Sequence, residues 1–132
     1  LSIVRRRFFP LLAVVLSCGA PKPAAFAFPS SVGPWKLKEA KDLPPAGAPE
    51  QARRLGLKRA QMAEYEGSGR LEAEVYELTS DAAALEMEQT WRPAADTVAF
   101  HQAGYFAVIR WQNASRGDVS AFVREMEKRV GR

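Results

Sequence analysis

Alternation of apolar and polar positions runs through four stretches of the chain and predicts four strands. In "RLEAEVYEL" (Arg70 to Leu78), Leu71, Ala73 and Val75 fall on one side and Glu72, Glu74 and Tyr76 on the other, which is the period-two pattern of a half-buried strand. "LKRAQMAEYE" (Leu57 to Glu66) and "TVAFH" (Thr97 to His101) follow the same rule, with Val98 and Phe100 opposing Thr97, Ala99 and His101. In "YFAVIRWQ" (Tyr105 to Gln112) both sets are largely apolar: Tyr105, Ala107, Ile109 and Trp111 alternate with Phe106, Val108 and Arg110. A strand apolar on both faces belongs inside a sheet rather than at its rim.

Between and after these strands the period changes to that of a helix. In "SRGDVSAFVREMEKRV", Val119, Phe122, Val123, Met126 and Val130 share one face, while Arg124, Glu125, Glu127, Lys128 and Arg129 take the other, with Ser115 as the N-cap. "TSDAAALEMEQTW" predicts a second helix capped by Thr79 or Ser80, with Ala84, Met87 and Trp91 turned inward and Pro93 as its stop. "APEQARRLGL" predicts a short helix opened by Pro49 and closed by Gly56. Gly67-Ser68-Gly69 and Gln102-Ala103-Gly104 read as hairpin turns, the glycines supplying positive φ. Five prolines (Pro29, Pro34, Pro44, Pro45 and Pro49) punctuate residues 28–49, leaving room for one short strand near Trp35 to Ala40.

The order is strand, short helix, then two strand-strand-helix units. The fold class this implies is α+β: a two-layer sandwich, a mainly antiparallel sheet of about five strands with two helices packed on one face. The organisation expected along the chain is a leader over 1–27, a Pro-rich segment with one short strand over 28–48, and the α+β domain over 49–132.

The leader reads as a secretory signal peptide: Arg5, Arg6 and Arg7, then the apolar Phe8 to Leu16, then small residues ending in Ala25-Phe26-Ala27. Its apolar run is about half the ~20 residues a membrane-crossing helix needs. Two processing events fit it. One is cleavage after Ala27, the reading taken first; the alternative is lipidation at Cys18, where "VVLSC" resembles a lipobox. The protein is therefore expected in the periplasm or medium, or anchored by lipid to the cell envelope, with no transmembrane span.

This leader changes the meaning of the charge. The chain carries +4 overall, but four of its 19 Lys and Arg precede residue 28 and none of its 15 Asp and Glu do, so the domain that follows is neutral. A neutral domain lacks the electrostatic attraction behind most nucleic-acid binding, and no nucleic-acid partner is expected. Acidic residues gather between 71 and 96, where Glu72, Glu74, Glu77, Asp81, Glu86, Glu88 and Asp96 face Arg92 alone.

Candidate chemistry is sparse. If Leu71, Val75, Val98 and Phe100 face the helices, Tyr76, His101, Glu72 and Glu74 lie on an open sheet face, joined by either Arg110 or the pair Tyr105 and Trp111. Such a mixed aromatic and polar surface suits a small ligand or a protein partner. The alternative is acid/base chemistry by Glu72 or Glu74 with His101, two strand carboxylates spaced about 7 Å apart. Ser68 lacks the strand-to-helix setting of a nucleophile elbow. With one histidine, and the only cysteine in the leader, no metal or cofactor is expected.

The run "WKLKEAKDLP", "AEYEGSGRLEAEVYEL", an alanine-rich helix with a Trp near its end, and "HQAGYFAVIRW" resembles a group of small exported bacterial proteins that share a domain of unknown function, over residues 34–130. The resemblance implies secretion or a lipoprotein anchor and an α+β fold, and it supplies no catalytic residues. The expectation is an exported, non-enzymatic binding module for a small ligand or an envelope protein; the alternative is a small carboxylate-based hydrolase.

Overall fold

A computed structural model of the chain describes residues 25–131; Cys18 and the leader ahead of residue 25 lie outside the described residues. The elements in order are β1 (Ser31–Val32), β2 (Trp35–Leu43), a 3-10 turn (Pro45–Gly47), α1 (Glu50–Arg54), β3 (Arg59–Glu66), β4 (Arg70–Glu77), α2 (Asp81–Thr90), β5 (Thr97–Gln102), β6 (Tyr105–Gln112) and α3 (Arg116–Arg129). The strands form one antiparallel sheet in the order β1-β2-β3-β4-β6-β5, curled into a half-barrel. The class is α+β.

Six strands stand where about five were expected, and the segment before residue 49 carries two of them. The prolines punctuate rather than interrupt: Pro34 sits in the turn between β1 and β2, and Pro44 follows β2, which runs nine residues. Val32 and Trp35 join the same core as β4 and β6, so residues 28–48 are part of the domain and not a separate lead-in.

The two hairpin turns work differently. Between β5 and β6 the loop is Ala103-Gly104, with φ of 49° and 82°, the double left-handed conformation that matches strand twist. Between β3 and β4, Gly67 and Gly69 do not adopt positive φ. They are glycines because a Cβ would strike backbone: at Gly67 it would lie 2.9 Å from the Pro34 carbonyl oxygen, and at Gly69 2.3 Å from that of Gln112.

Strand alternation sorts the core onto two faces. On the first, Trp35, Ala63, Tyr65, Leu71, Val75, Phe100, Ala107 and Ile109 meet Val119, Phe122, Met126 and Val130 of α3. Trp35 Nε1 donates to the Asp118 carbonyl at 3.0 Å, tying β2 to the start of α3. On the second, Ala60, Tyr76, Phe106 and Val108 meet Ala52 of α1 and Ala83, Ala84 and Met87 of α2. Helices therefore cover both faces, not one. This is why β6, with a paired strand on either side, needs apolar residues on both.

Both longer helices start at the caps read from sequence. Ser80 Oγ accepts from Ala83 N–H and Ser115 Oγ from Asp118 N–H, at 3.1 and 3.2 Å. Each satisfies an amide that the first helical turn leaves open. Among the described residues no helix is long and apolar enough to cross a membrane.

Candidate functional site

Strand register arranges the α2-side face into rows. Glu39, Glu64, Glu72, Arg110 and Thr97 stand side by side across β2, β3, β4, β6 and β5; next come Lys41, Met62, Glu74, Val108 and Ala99; then Leu43, Ala60, Tyr76, Phe106 and His101. The third row lies under α1 and α2. The first is a shallow charged hollow of about 370 Å³ lined by Glu64, Arg70, Glu72, Asp96, Thr97 and Arg110, among others.

Of the two alternatives for the open face, strand register puts Arg110 rather than the Tyr105 and Trp111 pair beside Tyr76 and His101. Tyr76, His101 and Arg110 are on the α2 side, whereas Tyr105 and Trp111 pack on the α3 side. Tyr76 is 2% exposed, beneath α2, so that end of the face is closed. Its hydroxyl donates to Glu74 Oε1 at 2.8 Å. Burial, with the Glu74 carboxylate beside it, pushes the Tyr76 phenol well above its ordinary range. Tyr105 is half-buried, and burial raises its phenol too.

The acid/base candidates are also separated. Arg110 Nη1 lies 3.0 Å from Glu74 Oε1 and 4.0 Å from Glu72 Oε1, so both carboxylates face a guanidinium. His101 Nδ1 instead meets Glu88 Oε1 of α2 at 2.6 Å, across β6 from both carboxylates, one row along from Glu74 and two from Glu72. At the rim, Arg70 bonds Glu64 at 2.5 Å and holds that carboxyl below the usual carboxylate range. Among the described residues no group of three His, Cys, Asp or Glu is placed to hold a metal.

A second hollow, on the other side of the sheet rim, is larger. It holds about 760 Å³ between β5, β6 and α3, lined by the apolar Val98, Trp111, Ala114, Val119 and Val123, the polar Thr97 and Ser120 and the charged Asp96, Arg116 and Arg124. Arg116, Ser120 and Arg124 recur every four residues of α3, which puts them on one stripe beside Val119 and Val123. Neither guanidinium has an ion pair or hydrogen bond to a described residue. Trp111 lines both hollows.

Of the sequence candidates only Trp111 belongs to this groove. The signal for the rest was present but divided: Val119 and Val123 counted as core, and Arg124 as solvated face. Val123 is in fact half-buried, at the edge of the α3 contact rather than inside it. No protein-family model, curated protein or solved structure matches the chain.

Proposed function

We propose that the protein is a non-enzymatic binding module of the cell envelope, and that it takes an elongated amphiphile with an anionic head in the groove between β5, β6 and α3. The observation that carries this reading is the pairing of an apolar wall with two arginines that make no ion pair or hydrogen bond to another described residue. Val98, Trp111 and Val123 offer surface to a hydrocarbon or ring, backed by the buried Val119, and Arg116 and Arg124 form a cationic rail along it. The volume falls within the few hundred to about 1,000 Å³ usual for small-molecule sites. A guanidinium prefers carboxylate or phosphate oxygens, which it meets with two parallel N–H donors. Asp96, on the sheet side of the groove, disfavours an anion there and leaves the head to the helix side.

The hydrolase alternative has less to support it. Glu74 is occupied by Arg110 and the Tyr76 hydroxyl, and His101 pairs with Glu88, so the imidazole is not joined to either of the carboxylates, Glu72 and Glu74, that this reading needs.

Decanoate, decanol and decyltrimethylammonium, titrated calorimetrically into the protein, test the proposal. Decanoate binds tightest, and Arg116→Gln or Arg124→Gln weakens it by about tenfold, the size of one charge-assisted hydrogen bond. Trp111→Ala weakens decanoate and decanol alike. Equal binding of the cationic and anionic probes, or no response to either arginine change, overturns the reading.

A further inference from the structure

The fold's buried amide grips backbone inside the expected leader. Apart from the tyrosine hydroxyls and tryptophan, Gln61 of β3 is the one buried polar side chain among the described residues, at 8% exposure. Its Oε1 accepts the Phe26 N–H at 3.1 Å and its Nε2 donates to the Phe26 carbonyl at 2.9 Å, so both ends of the amide are satisfied by one residue. Four positions along the same strand, the buried Tyr65 hydroxyl donates to the Pro29 carbonyl at 2.7 Å. The Leu37 N–H donates to the Ser30 carbonyl at 2.9 Å. Phe26 and Phe28 meet edge to face at 5.0 Å, and both rings pack on the α3-side core.

We propose that the N-terminus of the mature protein lies at or ahead of Phe26, so that Phe26 to Ser30 is a strap of the folded domain rather than the end of a discarded leader. Cleavage after Ala27 hydrolyses the Ala27–Phe28 peptide bond. It removes both hydrogen bonds of the Gln61 amide at once, together with the Phe26 ring that packs on the core. A cut further upstream costs the fold none of these contacts. This inference concerns how the chain is processed and stands independently of the groove.

The test is to export the full chain in a bacterium, recover it from soluble and membrane fractions, and read its N-terminus by intact mass and terminal sequencing. A first residue anywhere from Cys18 to Phe26, acylated or not, is the expected result; a first residue at Phe28 overturns the proposal. If the host leaves the leader uncut, hydrogen exchange on the purified chain decides. The Phe26 amide exchanges at least tenfold more slowly than in Gln61→Leu, which keeps the side chain's bulk and removes its donor and acceptor. Equal exchange in the two proteins overturns the strap.

Discussion

Two glycines of the same chain should respond oppositely to one added methyl group. At Gly69, in the turn between β3 and β4, a Cβ would lie 2.3 Å from the Gln112 carbonyl oxygen and 2.4 Å from that of Asn113. Both are backbone atoms at the end of β6, on its last residue and the one after it, so no side chain can rotate aside. Relief requires two strand ends to part by most of an ångström. Overpacking of this kind costs about 1–3 kcal/mol, against the ~0.4–1 kcal/mol that Gly→Ala recovers by restricting the unfolded chain. Gly117, in the first turn of α3, has nothing within 4 Å of its Cβ position. There only the gain remains, about 0.5 kcal/mol or slightly more. Urea unfolding followed by circular dichroism should therefore show Gly69→Ala with a lower midpoint and Gly117→Ala with a higher one, at unchanged slope. A Gly69→Ala protein as stable as the parent would refute the account of that turn as a close approach between backbones.

Other expectations follow from burial and charge. Phe122, fully buried and edge to face with Tyr65 at 4.8 Å, should lose about 3–5 kcal/mol on truncation to Ala; Leu85→Ala, at a side chain 40% exposed, should stay within about 0.5 kcal/mol of the parent in the same urea titration. Burial pushes the Tyr65 phenol up to about 12 from its ordinary value of 10. The unfolded chain therefore releases that proton first, and stability falls as pH rises from about 10 through 12, by roughly 2–3 kcal/mol for this group. Tyr65→Phe should remove that share of the alkaline loss in urea midpoints measured from pH 8 to 11.5, while Tyr76, also raised by burial, keeps its own; an unchanged slope with pH would count against the assignment.

What the chain alone determined is local. A strand's two-residue alternation, a helix's recurring apolar face, the caps at Ser80 and Ser115 and the turn at Ala103-Gly104 each depend on residues a few positions apart, so they are legible without knowing the fold. The double apolar character of β6 also announced a strand with neighbours on both sides. The faces were not legible, because alternation says that two sets of residues point oppositely but not which helix reaches which set. That depended on the sheet order, in which β6 comes between β4 and β5. This order brings Glu72 beside Arg110 and sends His101 to Glu88. It also turns Trp111 away from Tyr76, onto the α3 side.

The groove and the strap are tertiary for the same reason. Trp111 and Val98 meet Arg116 and Arg124 only because α3 packs beside the β5 rim, a contact no short window of sequence contains. Gln61 and Phe26 lie 35 residues apart. Pattern reading reaches as far as one element's own period, and whatever is built by burying two distant elements together waits for the packing to decide it.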